Sequence, residues 1–330
     1  MRKVLSLAFL VAALVLAAYA IFLVAPLQGD YYQFYYPSLI RFLGGGTRLY
    51  DASSPPFYNA PWLLGFWIPF AGFPYLVGQY ANTLLILVSA LASLWMFRRS
   101  TPRVAVFLAI FSLPCLALVV HGQVDALVLL GVTLGYFAVR RRNTALLSVA
   151  LCLLAIKPVS VILVALWFLA ASRQWKALSI PFVAVVLCAI FLGFDWPMRY
   201  VTYTLQHPLD APRVELWRLD ISPILLGTLT LAALLAFLLL VKRRGFDDWT
   251  FGLALTTNFV FSPYLLWAHY VALIPALLIL ARPQLKFAVL VYLSSFLLPW
   301  FGAAYPIAMF LAQWLTVLTK RAHKTGFVAP

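Results

Sequence analysis

The sequence predicts an all-α polytopic membrane protein with about 10–12 membrane helices. Three observations carry that expectation. First, 65% of the 330 residues are apolar and only 10% are charged, where an average soluble domain is about 25% charged. Second, the mean hydropathy is +0.97, and apolar runs close to membrane-spanning length recur along the chain. Third, 24 Lys and Arg stand against 9 Asp and Glu, and most of the basic residues cluster in short segments between the runs, as topology-setting charges do. A soluble globular enzyme, a disordered tail and a nucleic-acid binder are all excluded. Cys115, Cys152 and Cys188 sit inside apolar runs without metal or redox spacing. The chain has no Gly-rich phosphate loop, HExxH or GxSxG, so the usual ATPase, zinc-protease and α/β-hydrolase readings fall away.

Cutting the chain at its polar punctuation gives spans at 4–26, 78–97, 103–120, 124–139, 144–156, 159–172, 177–194, 221–241, 249–263, 265–281, 286–300 and 303–319. The first run follows Met1-Arg2-Lys3, and Ala18-Tyr19-Ala20 resembles a signal-peptide cleavage site. The run continues through Ile21-Phe22-Leu23-Val24, which favours an uncleaved first helix with its N-terminus in the cytoplasm. Spans 144–156 and 159–172 meet at Lys157-Pro158 and read as half-spans lining a cavity, where broken helices are tolerated.

This layout places eighteen of the 24 basic residues on one face. By the positive-inside rule that face is cytoplasmic, and both termini lie there. Seven of the nine acids fall on the opposite, outer face. Two outer segments are long enough to build structure, 27–77 and 195–220. The expected organisation is therefore one multi-pass domain over 1–330, in the cell membrane, with its working end outside.

The first outer loop is strongly aromatic: 16 of the 54 residues from Leu27 to Tyr80 are Phe, Trp or Tyr. An interfacial belt accounts for Trp62, Phe66, Trp67, Phe70 and Phe73. A platform for a sugar ring or a polyprenyl chain is the functional reading, with Tyr31, Tyr35 and Tyr58 as candidate contacts. Pro37 suits the start of a short helix over 38–43, with Tyr36 extended before it. Gly44-Gly45-Gly46 suits its end, and the prolines beyond break the segment into short surface elements.

Asp30 follows the first span directly. A carboxylate at that boundary is partly desolvated, which raises its pKa and suits a general base. A helix cap or solvated loop acid is the alternative. Further along, His121-Gly122-Gln123-Val124-Asp125, Lys157 and His269 interrupt apolar stretches, and ionisable groups at such depth usually face a cavity or a partner. His121 and Asp125 have the spacing to pair with each other. Lys157 either snorkels to headgroups or acts in a site, with the site reading favoured. His269 is either a satisfied core histidine or a ligand contact. His121 and Gln123 are further candidate substrate contacts. An acid base facing a Lys, His and Arg set is what transfer from a lipid phosphate requires. Arg199, Arg213 and Arg218 of the second outer loop are candidates for that set.

Taken in order, these features form a pattern. Asp30 is followed by Tyr35-Tyr36, then Gly46-Thr47-Arg48-Leu49-Tyr50, then Phe57-Tyr58-Asn59-Ala60-Pro61. Pro69-Phe70, Phe73-Pro74 and Gly122-Gln123 come next. Lys157-Pro158, Arg173-Gln174-Trp175-Lys176-Ala177-Leu178 and Ser262-Pro263 with His269 and Pro275 complete it. The pattern resembles the integral-membrane GT-C glycosyltransferases, specifically the family-87 alpha-1,2-mannosyltransferase-like group. Two departures stand out: Asp125 replaces an Asn after Gly-Gln, and Tyr58-Asn59-Ala60-Pro61 replaces a Tyr-x-Pro-Pro stretch.

The resemblance implies transfer of a mannose-like or pentose sugar from a polyprenyl-phosphate donor to a lipid or glycan acceptor of the cell envelope, with inversion. It implies Asp30 as the base and makes Lys157, His269 and Arg218 candidate donor-phosphate contacts. No cofactor is implied, and no metal is indicated, since Asp51 is the only other acid in the loop. The competing function is a polytopic lipid or sugar transporter or flippase, against which stands the lack of a repeated half. A non-catalytic lipid-binding scaffold predicts that Asp30 faces open solvent, far from Lys157 and His269.

Overall fold

The structure is a computed structural model. It describes residues 29–46, 49–50, 57–98, 100–206, 222–262, 266–301 and 304–319. The expected first span, 4–26, lies outside the described residues. Within them the chain is all-helical, with no strand, and the protein is an all-α polytopic membrane protein.

A π-helical turn at Tyr31–Tyr35 runs into α1 (Tyr36–Leu43). The long α2 (Tyr75–Phe97) follows two 3-10 turns. After it come α3 (Arg103–Ile110), α4 (Leu113–His121), α5 (Asp125–Arg141) and α6 (Thr144–Leu154). The next helices are α7 (Ile162–Ser172), α8 (Ser179–Leu192), α9 (Trp196–Gln206), α10 (Pro223–Arg244) and α11 (Asp248–Val260). A 3-10 segment, Trp267–Leu273, leads into α12 (Ile274–Ala281), and α13 (Leu285–Ser294) and α14 (Ala304–Thr319) close the chain.

Among the described residues, three helical segments are long and apolar enough to cross a membrane by themselves: Tyr75–Phe97, Trp175–Leu192 and Ile224–Arg244. The expected span at 103–120 is instead a bent pair, α3 and α4, with a 42° break. Pro114, in the first turn of α4, cannot donate into the end of α3, so the ladder restarts there. The other apolar helices are shorter than a full crossing. Helices α8 and α10 leave most of their Leu, Ile, Val and Phe exposed, the composition of a face turned to lipid rather than water.

Helix α5 lies at the centre, against α2, α6, α7 and the 267–273 segment. Its glycines permit this. A Cβ at Gly135 would fall on the Phe168 ring, and one at Gly131 would lie 3.0 Å from the Leu153 Cβ. Small residues at helix contacts let backbones approach where no hydrophobic driving force separates protein from lipid.

The last turn of α5 carries Arg140, which pairs with Asp248 at the start of α11. Arg282, just after α12, reaches the same carboxylate at 2.9 Å and Ser100 at 2.9 Å. Asp247 caps α11 and bonds Arg244. Several helix ends are thus tied together at the basic end of the bundle. Asp125, the first residue of α5, lies about 22 Å away along the helix axis.

Two breaks shape the opposite end. α6 stops before Lys157-Pro158, and Lys157 takes φ −135° and ψ 72°, outside the helical region, as a residue preceding proline does. At the other break Gly122 adopts φ 69° as the left-handed cap of α4, so His121 and Asp125 belong to different helices. One local expectation fails: Tyr36 is helical, at φ −63° and ψ −48°. The π-turn in front of it gives the Pro37 ring room that a regular helix lacks.

Candidate active site

Asp30, Tyr35, Tyr58, Gln123, Lys157 and His269 line one pocket. It holds about 510 Å³ of empty space, counted to its open mouth, at the end of the bundle remote from the Arg140–Asp248–Arg282 cluster. Phe34, Asn59, Ser160, Tyr200, Thr204 and Leu266 complete the wall. The scaffold expectation, with Asp30 in open solvent and far from Lys157, is not met.

Asp30 enters from the turn of helix that precedes the π-turn. The Tyr35 hydroxyl donates to its Oδ2 at 3.4 Å. Tyr35 is itself buried and stacks on Trp67, with ring centroids 4.8 Å apart and 13° between planes. The Asn59 side chain and the Val124 backbone lie beside this phenol. Burial holds the phenol well above its ordinary pKa, so it remains a proton donor toward Asp30. Burial likewise pushes the Asp30 carboxyl up to about 7. The Lys157 ammonium works against that rise and Asp125 adds to it.

On the facing wall, Lys157 projects from the α6–α7 break. Its Nζ lies 2.6 Å from Asp125 Oδ2, 3.1 Å from Gln123 Oε1 and 3.2 Å from His269 Nε2. Asp125 has 1% of its side chain exposed and Lys157 11%, so each charge needs the other. Asp125 thus pairs with Lys157, and the i,i+4 pairing with His121 does not form: the Gly122 turn separates the two residues. His121 is exposed at the end of α4 and does not line the pocket.

His269 is oriented by its own backbone. The Leu266 N–H donates to Nδ1 at 3.2 Å. A neutral imidazole that accepts at Nδ1 carries its proton on Nε2, the nitrogen that faces Lys157. The ring is 3% exposed.

The remaining predicted residues fall elsewhere. Tyr31 is buried behind the pocket against Trp67 and Tyr36. Arg199 bonds Asp195 at 3.0 Å and the Leu192 carbonyl, so it braces the α8–α9 corner. Arg213 and Arg218 lie outside the described residues. Trp67 is core rather than interfacial belt, while Phe66 and Phe73 are exposed. Asn59, Ser160, Tyr200 and Thr204 were not singled out from sequence. Asn59 sits in a quoted motif, but Ser160 and Thr204 have no pattern that marks them.

A second cavity involves the chain on either side of Lys157. An apolar groove, again about 510 Å³ of empty space, is lined by residues of α6, α7 and α8. Ala155 and Pro158, on either side of Lys157, belong to its wall.

The model of glycosyltransferase family 87 matches residues 55–263. The chain belongs to that family. A search of curated proteins and one of solved structures returned no match. As a family-87 member the protein is a membrane glycosyltransferase, and its pocket is the place to look for a sugar donor and acceptor. The family match covers Tyr58, Gln123, Asp125 and Lys157. Asp30 and His269 lie outside it and reach the same family-87 pocket through the fold. Among the described residues no group of three or more His, Cys, Asp or Glu is placed to hold a metal ion.

Proposed function

We propose that the protein transfers a mannose-like or pentose sugar from a polyprenyl-phosphate donor to a lipid or glycan acceptor, with inversion. One observation carries the reading: Asp30 shares a pocket with Lys157 and His269. Asp30 takes the proton of the acceptor hydroxyl. The freed oxygen pair attacks the anomeric carbon from the face opposite the phosphate. The carbon–oxygen bond to phosphate breaks, and its electron pair leaves with the polyprenyl phosphate. Lys157 and His269 bring N–H groups to one point of the pocket, where an anionic phosphate oxygen accepts from both. Low dielectric makes such donors most effective where charge develops.

The groove beside Lys157 supports a lipid-linked donor. A prenyl chain lying between α6, α7 and α8 leaves its phosphate at the α6–α7 break. The charge pattern supports an outward-facing site: the Arg140 end carries the basic residues of the short loops, and the positive-inside rule favours the cytoplasm for such an end.

The test is transfer from a panel of polyprenyl-phosphate mannose and pentose donors by purified protein, wild type beside Asp30→Asn. Transfer by wild type alone is expected. Transfer by both removes Asp30 as base. Transfer by neither, from folded protein, turns the reading toward lipid transport.

A further inference from the structure

We infer that α9 is a membrane-surface helix: Phe194, Met198 and Val201 rest in the lipid leaflet at the pocket end of the bundle, and the helix stands between that lipid and the pocket. This holds whatever reaction the pocket performs.

The depth of α9 is set by α8. α8 belongs to the segment Trp175–Leu192, long and apolar enough to cross a membrane, so Leu192 lies at the edge of the hydrocarbon. Gly193 then turns the chain at φ 89°. A helix continued through this point would put Trp196 about 16 Å beyond Val185. Instead the Trp196 indole N–H reaches the Val185 carbonyl at 3.4 Å. The chain has folded back, and α9 starts beside the last turns of α8. The Asp195–Arg199 pair and the Arg199 bond to the Leu192 carbonyl hold this corner.

The two faces of α9 meet different surroundings. Trp196, Tyr200 and Tyr203 are buried. Tyr200 and Thr204, one turn apart, line the pocket, and Tyr203 packs on Tyr58 with ring centroids 5.6 Å apart. On the opposite face Met198 is 71% exposed and Val201 50%, and Phe194 at the corner is 85% exposed. These three extend a row of exposed apolar residues that begins on α8 with Val183, Leu187 and Ile190. Steps of three or four residues run through the whole row, from Val183 to Val201. The α8 part of the row faces lipid, and the α9 part is continuous with it. An apolar row of this extent is costly to leave in water. Laid at the headgroup boundary it anchors a helix flat on the bilayer.

The experiment uses the full-length protein in nanodiscs, in a background lacking Cys115, Cys152 and Cys188. Met198→Cys, Val201→Cys and, on α8, Val183→Cys each carry a bimane fluorophore. The quenchers are lipid nitroxides, placed near the headgroup or deep in the acyl chain, and aqueous iodide. At Met198 and Val201 the shallow nitroxide is expected to remove most of the emission, the deep one less and iodide little. At Val183 the deep nitroxide is expected to dominate. Quenching at Met198 and Val201 by iodide alone overturns the inference, because α9 then faces water. The Val183 pattern at those two sites also overturns it, because α9 then lies within the hydrocarbon. Protection from all three quenchers means that another protein covers the face, and overturns it as well. The unsubstituted protein gives a second measurement. A phospholipid with a diazirine at its headgroup is expected to label the peptide containing Met198 on irradiation, and labelling of α8 without that peptide overturns the inference.

Discussion

In the proposed reaction Asp30 is the base, and its surroundings disfavour its charge. Its carboxyl is raised from 3.8 to about 7, chiefly by burial. A base must be ionised, so transfer is expected to rise with pH through about 7 and level off above, as a pH–rate profile will show. Lys157 pulls this value down, so Lys157→Gln is expected to move the rising limb to higher pH as well as to slow the reaction. Linkage fixes the stability consequence. A folded pKa above the unfolded one favours the protonated fold, so ionisation costs stability as pH climbs from 3.8 to about 7. Asp30→Asn removes that cost. Its Tm is expected to match wild type near about pH 4 and exceed it near about pH 8, while transfer is lost. The Lys157–Asp125 pair behaves differently. Removing one partner strands a buried charge, so Asp125→Ala is expected to cost about 3–5 kcal/mol in thermal unfolding. Replacing both by neutral residues costs less.

At the level of elements, glycine contacts and helix breaks place the site. α5 approaches α7 closely at Gly135, where a Cβ would fall on Phe168. Helix propensity alone makes Gly135→Ala favourable by about 1 kcal/mol. The collision is larger, and overpacking a tight core costs about 1–3 kcal/mol. A lower Tm is therefore the expected result. The same holds on the aromatic side: a Cβ at Gly78 would fall on the Tyr31 hydroxyl. Tyr31 contacts Trp67, which stacks on Tyr35, the donor to Asp30. Gly78→Ala is expected to reduce transfer through this chain, a residue that never meets substrate; the effect is checked by kcat alongside an unchanged oligomer profile.

The whole molecule is a bundle with two unlike ends. The Arg140, Asp248, Arg282 and Ser100 cluster ties helix ends together at one, and the pocket opens at the other. A single cysteine placed at Arg142, in a background lacking Cys115, Cys152 and Cys188, is expected to react with membrane-impermeant maleimide only after the cytoplasmic face is exposed. One placed at Gly72, in the turn before α2, is expected to react in intact cells. Reversed labelling would move the pocket to the cytoplasmic side and remove the outward-facing part of the proposal.

Composition and hydropathy by themselves determined that this chain is an all-α membrane protein, because lipid demands apolar helices whatever their arrangement. Lys157 and His269 stood out because a polar residue inside an apolar run is expensive and needs a reason, and Asp30 because it directly follows the first apolar run, at the membrane boundary. Proline marked the break at Lys157, since its chemistry is local. Partners were not legible. The spacing of His121 and Asp125 suggested a pair, but Gly122 takes a left-handed turn and sends Asp125 to Lys157, 32 residues away in sequence. Trp67 looked interfacial because aromatic residues at such loops usually are, and only packing showed that it supports Tyr35. Helix α9 is the clearest case: Met198 and Tyr200 stand two residues apart, and only the fold back against α8 decides that Tyr200 lines the pocket while Met198 is exposed, because a side chain has no facing until its helix is packed.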